Sequence, residues 1–239
     1  TTKYAVRKED MVPFSNFRSP YNSDLKLSSI GLGTYIGSPD DATDIMLINS
    51  ILDNVESGGV NVIDTAINYR YQKSERAVGH AVRLLLEEKG YNRDELFISS
   101  KIGYVPEDAD KGLPGRIIIE DLVNEGKITE DDFVGQCHCM HPNFLEAQLN
   151  NSLENLQLET VDLMYLHNAA ESQLPLIGYE KFESRLAESF EFFEKKRQEG
   201  KIKNFGLATW TSFRARPDEE KLHVNFQKTI ELAEKVGGK

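Results

Sequence analysis

The chain has 239 residues, 39% hydrophobic and 28% charged, with a formal net charge of -11. That length suits one large domain or two small ones with an ample core, and the charge argues against nucleic-acid or anionic-membrane partners, though a local basic pocket for a phosphate is compatible with it. No apolar stretch approaches the roughly 20 residues that span a bilayer and the opening TTKYAVRKED lacks the apolar core of a secretory signal, while Cys137 and Cys139, one residue apart, fit a reducing compartment better than a structural disulfide.

After a polar lead-in through Ser23, short apolar runs alternate with amphipathic stretches. The first run is Ser28 to Tyr35. Asp40 or Asp41 can cap the helix that follows, with Ile45, Ile48, Ile51, Leu52 and Val55 at helical spacing until Gly58 and Gly59 stop it. VNVID, ending at Asp64, reads as a strand. Ala77, Val78, Ala81, Val82 and Leu85 stripe a helix from Ser74 to Lys89, in which Glu75 belongs to the first turn, and Leu96 to Lys101 reads as the next strand. From Gly103 to His141 the alternation breaks, with glycines and Pro114 scattered through charged sequence and RIIIEDLVNEG as a helix of its own. A segment this long between a strand and its helix is read as an insertion or lid over the active face.

Regularity returns with a helix from Asn143 to Leu156, a strand from Thr160 to Leu166, a helix from Tyr179 to Glu199, a strand from Asn204 to Ala208 and a helix from Phe226 to Val236. In the long charged helix, Phe182, Leu186, Phe190 and Phe193 are expected to pack inward. Five strand-helix units imply a parallel sheet with right-handed crossovers in a single domain over 1–239. An eight-stranded barrel needs three more units. A doubly wound sheet is the other option, but GLG at Gly31 to Gly33 lacks the rest of its usual phosphate loop.

Four titratable residues sit at or just past the downstream ends of apolar runs: Asp64, Tyr69, Lys101 and His167. In a barrel those ends open on one face, so a proton-transfer site is expected there. CHCMH, from Cys137 to His141, invites a zinc reading, but its spacing is too tight for one tetrahedral ion and no metal is expected; Cys137, His138 or His141 would instead line a pocket or lid.

In order, GLGTY (31–35), DTAINY (64–69), SSK ending at Lys101, VDLMYLH ending at His167 and EGKIKNFGLATW (199–210) resemble the motif series of the aldo-keto reductases, and the match runs from Leu25 onward. The resemblance implies a TIM barrel, α/β in class, of which about five units are present. It implies NADPH-dependent reduction of a small-molecule aldehyde or ketone, with NADH as the other cofactor choice; the cysteine usage and the opening residues make the cytoplasm the expected compartment, with an organelle after removal of a presequence as the alternative. The resemblance makes Asp64, Tyr69, Lys101 and His167 the catalytic set and places Gly33, Thr34, Tyr35, Asp64, Ala208, Thr209 and Trp210 at the cofactor.

The chemistry accounts for such a set. Hydride delivered to a carbonyl carbon leaves charge on oxygen, so a proton donor must stand beside it. A tyrosine hydroxyl ordinarily titrates near 10, and an adjacent ammonium favours its phenolate. A carboxylate holds that ammonium, and a neutral imidazole donates a hydrogen bond to the carbonyl. Where many family members have Ser-Asn against the nicotinamide amide, this chain has Ala208 and Thr209, so a catalytically weak binding or regulatory subunit is the competing expectation.

Overall fold

The computed structural model describes residues 1–20, 23–219 and 221–237; Tyr21 and Asn22 of the polar lead-in, Glu220 and the terminal Gly238 and Lys239 lie outside them. The lead-in holds more structure than its polarity suggests. Helix α1 (Thr2–Arg7) buries Tyr4 and Ala5, and Tyr4 Oη donates to the Val55 carbonyl at 2.8 Å. Strands β1 (Phe17–Arg18) and β2 (Leu27–Ser28) then pair antiparallel, so the expected strand from Ser28 to Tyr35 is broken into this ribbon and the two-residue β3 (Leu32–Gly33), with Ile30 exposed between them.

From β3 onward the chain alternates. Helix α2 (Asp41–Glu56) starts where Asp40 accepts from the Thr43 N–H at 2.8 Å, and it buries Ile51 and Val55. Ile45, expected on the same stripe, stays exposed, while Ile48 and Leu52 are half-buried. Next come β4 (Val62–Asp64), α3 (Lys73–Glu87), β5 (Phe97–Ile102), α4 (Gly115–Asn124), a ribbon of β6 (Phe133–Val134) and β7 (His138–Cys139), and α5 (Pro142–Leu156). They are followed by β8 (Val161–His167), α6 (Ala169–Ile177), α7 (Tyr179–Gln198), β9 (Ile202–Ala208) and α8 (Phe226–Val236). All five residues of the α3 stripe are buried, as are Phe182, Leu186, Phe190 and Phe193 of α7. Each such large side chain is worth roughly 1.5–3 kcal/mol relative to exposure.

The five long-range strands form one parallel sheet in the order β3-β4-β5-β8-β9. Each strand is laid beside its predecessor and the order never doubles back. This is the winding of a barrel wall and excludes a doubly wound sheet, whose order reverses at a switch point. The fold is α/β, five strand-helix units of a (β/α)8 barrel.

Side chains alternate between the two faces of the sheet. Ser100 points outward and donates to Glu75 on α3 at 2.6 Å, and Met164 and Leu166 are fully buried beneath the helices. Lys101, Tyr165 and His167 face the other way. The register sets Gly33 opposite Asp64, Asp64 opposite Ser99, Lys101 opposite Tyr165 and His167 opposite Ala208. One rim therefore collects the residues at the strand ends.

Candidate active site

Asp64 ends β4 and accepts at Oδ2 from Lys101 Nζ at 2.5 Å and at Oδ1 from Ser99 Oγ at 2.7 Å. Lys101, one residue short of the end of β5, is buried and also donates to the Thr65 carbonyl at 2.8 Å. Its ammonium is thus directed by two acceptors. It lies 4.6 Å from the centre of the Tyr69 ring, over the face of the phenol.

Tyr69 stands on a turn whose next three residues, Arg70, Tyr71 and Gln72, all have left-handed φ of 48°, 55° and 72°. For residues with a Cβ that backbone costs on the order of 1 kcal/mol or more each, and it persists only where surrounding contacts over-determine it. Those contacts are present. The buried Arg70 guanidinium donates to the Ser38 carbonyl at 2.8 Å and to Asp44 Oδ1 at 2.7 Å, Gln72 Oε1 accepts from Asn151 and Asn155 at 3.1 Å each, and Lys73 pairs with Asp41, Asp44 and Asp110. The Tyr69 ring meets His167 edge-on with centroids 5.8 Å apart and Tyr35 at 5.0 Å. The four expected residues converge on one rim.

His167 is buried, and burial is the main cause that drives its pKa down to about 3, aided by the positive charge of Lys101 and by His138. It is a neutral imidazole at physiological pH. Beside it, Tyr104 packs its ring edge-on at 5.0 Å and touches His138 at 5.1 Å.

The flanks divide as follows. Gly33 has nothing within 4 Å of where a Cβ would stand, Tyr35 is exposed, and the half-exposed Asp64 opens to the same side. Thr34 is turned inward instead: it is buried, and both its N–H and hydroxyl bond to the Asp64 carbonyl at 3.1 Å. On the opposite flank Ala208 accepts from the Asn168 N–H at 2.7 Å, Thr209 is half-buried and the Trp210 ring is exposed. Glu171 Oε1 collects the N–H groups of Trp210, Thr211 and Ser212 at 2.8, 2.8 and 3.2 Å, and these bonds lower its pKa against the burial that opposes them.

Tyr104, Gln173 and Glu171 escaped the sequence expectations, with only the place of Tyr104 inside the long irregular segment pointing toward it, whereas His138 was expected, with Cys137 or His141, to line a pocket or lid. Of CHCMH, Cys137 is exposed, Cys139 is buried, and His141 caps α5 by accepting from the Asn143 N–H at 3.2 Å. His138 alone reaches the site, from behind. Among the described residues no group of three or more His, Cys, Asp or Glu side chains could hold a metal ion.

Comparison with known proteins finds relatives in sequence and in fold. A D-threo-aldose 1-dehydrogenase of Pseudomonas sp is 29% identical over 172 residues, covering 68% of this chain and 44% of that protein. An NADH-specific methylglyoxal reductase of Escherichia coli (strain K12) is 27% identical over 191 residues, covering 78% and 49%. This chain spans about half the length of the curated relatives it matches. An aldo-keto reductase of Bacillus halodurans, solved in its holo form, superposes with a TM-score of 0.54 at 22% identity, over 81% of this chain and 50% of that one, which bears on the fold alone. Residues 29–217 match the model of the aldo/keto reductase family. By that match over most of its length, the chain belongs to the aldo/keto reductase family.

Proposed function

We propose that this chain carries the reacting rim of an NAD(P)H-dependent oxidoreductase that reduces an aldehyde or ketone to an alcohol, with Tyr69 as proton donor. The observation that carries this reading is the convergence of Asp64, Lys101, Tyr69 and His167, through the Asp64–Lys101 bond and the ring contacts of Tyr69. Lys101, held by Asp64 and Thr65, keeps a positive charge over the phenol and stabilises the phenolate left when Tyr69 gives up its proton. His167, neutral, keeps one ring N–H with which to orient the carbonyl oxygen. Tyr104, on the segment from 103 to 141, borders the substrate's approach, in keeping with a lid or wall in that insertion.

The residues fit a nicotinamide cofactor. Gly33, Tyr35 and Asp64 offer one flank and Ala208, Thr209 and Trp210 the other, with Thr34 fixing the backbone between them, and Asn168 Oδ1 near the same strand end is buried without a partner. Bound there, the cofactor supplies the hydride for the carbonyl carbon. NADPH follows from the family resemblance, and the printed name of the Escherichia coli relative keeps NADH in view. A second reading, an auxiliary subunit with little turnover, is favoured by Ala208, whose side chain can neither donate nor accept.

One experiment separates them. Tyr69→Phe is expected to lower reduction across an aldehyde panel by about 10²–10⁴-fold, the usual worth of a positioned general acid, while calorimetric affinity for NADPH or NADH holds. Retained turnover removes Tyr69 from the chemistry, and failure of the unaltered chain to bind either cofactor favours the auxiliary subunit.

A further inference from the structure

Arg185 on α7, Gln173 on α6, His138 on β7 and the carbonyl of His167 form one hydrogen-bonded chain whose direction is fixed at both ends. Arginine only donates, so the Arg185 Nη1 contact at 3.0 Å is with the amide oxygen of Gln173. The amide nitrogen then faces His138 Nδ1 at 3.0 Å and donates to it. That leaves Nε2 as the protonated ring nitrogen, and it donates at 2.8 Å to the His167 carbonyl, a group that only accepts. A single tautomer satisfies every link. Gln173 and His138 are both fully buried, where an unmade bond costs about 1–3 kcal/mol.

The place of the ring matters as much as its bonds. Gly103 follows Lys101 by two residues, and a Cβ there would come within 2.7 Å of His138 Nε2, so only glycine lets the ring in. The Gly103 N–H donates to Gln148 Oε1 at 2.7 Å and its carbonyl accepts from the Cys139 N–H at 2.9 Å. The imidazole of His138 is therefore wedged between the ends of β5 and β8, the strands that carry Lys101 and His167.

We propose that His138 is a positioning residue for the candidate site: its Nε2–H anchors the His167 carbonyl, and its ring spaces the two strand ends so that the His167 imidazole stands at a set distance from Lys101 and Tyr69. The insertion then acts as a buttress behind the rim. The kinetic consequence rests on the proposed reductase activity, whereas the structural one does not.

Three variants test it in the full chain: His138→Phe keeps a ring without a donor, His138→Gln carries an amide nitrogen to about the reach of Nε2, and His138→Asn carries one only to about Nδ1. The readout is the ring nitrogen and proton spectrum of His167, with a thermal melt for stability. Expected are an Nε2–H tautomer for His138 in the unaltered chain, displaced His167 signals in the Phe and Asn variants, and their return in Gln. Where Phe prevents folding, the Gln–Asn comparison decides. A proton on Nδ1 of His138, or His167 signals that are the same in all variants, or Gln and Asn variants displaced alike, overturns the proposal. With reductase activity present, His138→Asn is expected to lower kcat by about 10–100-fold, in line with roughly an ångström of misplacement, with cofactor affinity unchanged and Gln restoring most of the loss. Equal kinetic losses in Gln and Asn would also overturn it. A chain without reductase activity defeats the reductase reading and leaves the spectroscopic outcome to judge His138.

Discussion

His138 and His167 are both kept neutral by burial, with pKa values pushed down to about 4 and about 3. In the unfolded chain each takes a proton near 6.5. Below that value the unfolded state binds protons that the folded state refuses, so the stability contributed by the neutral pair is complete above pH 6.5 and is lost as pH falls toward 4. Each unit of displacement is worth about 1.4 kcal/mol, which makes the loss several kcal/mol. Glu75 acts in the opposite sense. Burial raises its pKa, so its contribution is complete below the usual carboxylate value and falls as pH rises. Urea midpoints measured from neutral pH downward should therefore drop, with a shallower slope in His138→Gln, and Glu75→Gln should remove the opposing trend above the ordinary carboxylate range. A midpoint flat between neutrality and pH 5 would show that the two histidines titrate as free ones do.

Among the elements, α3 packs directly on the backbone of α5 at Gly79. A Cβ on Gly79 would lie 2.6 Å from the Asn155 carbonyl oxygen and 2.7 Å from the Leu156 carbonyl carbon, both backbone atoms that no rotamer change can move. Alanine in a helix interior gains about 1 kcal/mol in propensity over glycine, but overpacking against backbone costs typically 1–3 kcal/mol. The clash wins, and Gly79→Ala is expected to lower the urea midpoint; an unchanged or higher midpoint would show that the helices part freely. The same elements show what the sequence made legible. The α3 stripe and the inward phenylalanines of α7 were readable because burial there follows one helical period. α6 was not, since Pro175 stands inside its nine residues and the side chains it buries, Ala169, Ala170, Gln173 and Leu174, are mostly small or polar. The four rim residues could be read because each follows an apolar run, whereas His138 reaches His167 from 29 residues away through a ribbon that no periodicity announces.

At the scale of the whole molecule, β9 is the last strand of the sheet, and among the described residues its outer edge has no strand partner. An exposed edge of this length is a template for pairing with another chain. Light scattering of the 239-residue chain is expected to show mass rising with concentration, and lysine at Asn204, which is exposed on that strand, to suppress the rise; a constant mass would mean that the edge is otherwise protected. No helix of the described residues is long and apolar enough to cross a membrane. Along β8 the two faces carry different burdens: Asp162, Met164 and Leu166, under the helices, are 3%, 0% and 0% exposed, while Leu163 and Tyr165 on the other side remain half-buried. Cohesion is invested on the convex side, and the proposed ligand chemistry falls to the concave one. Specificity can thus diverge by mutation along one row of side chains while the neighbouring row, one residue out of phase, goes on holding the wall together.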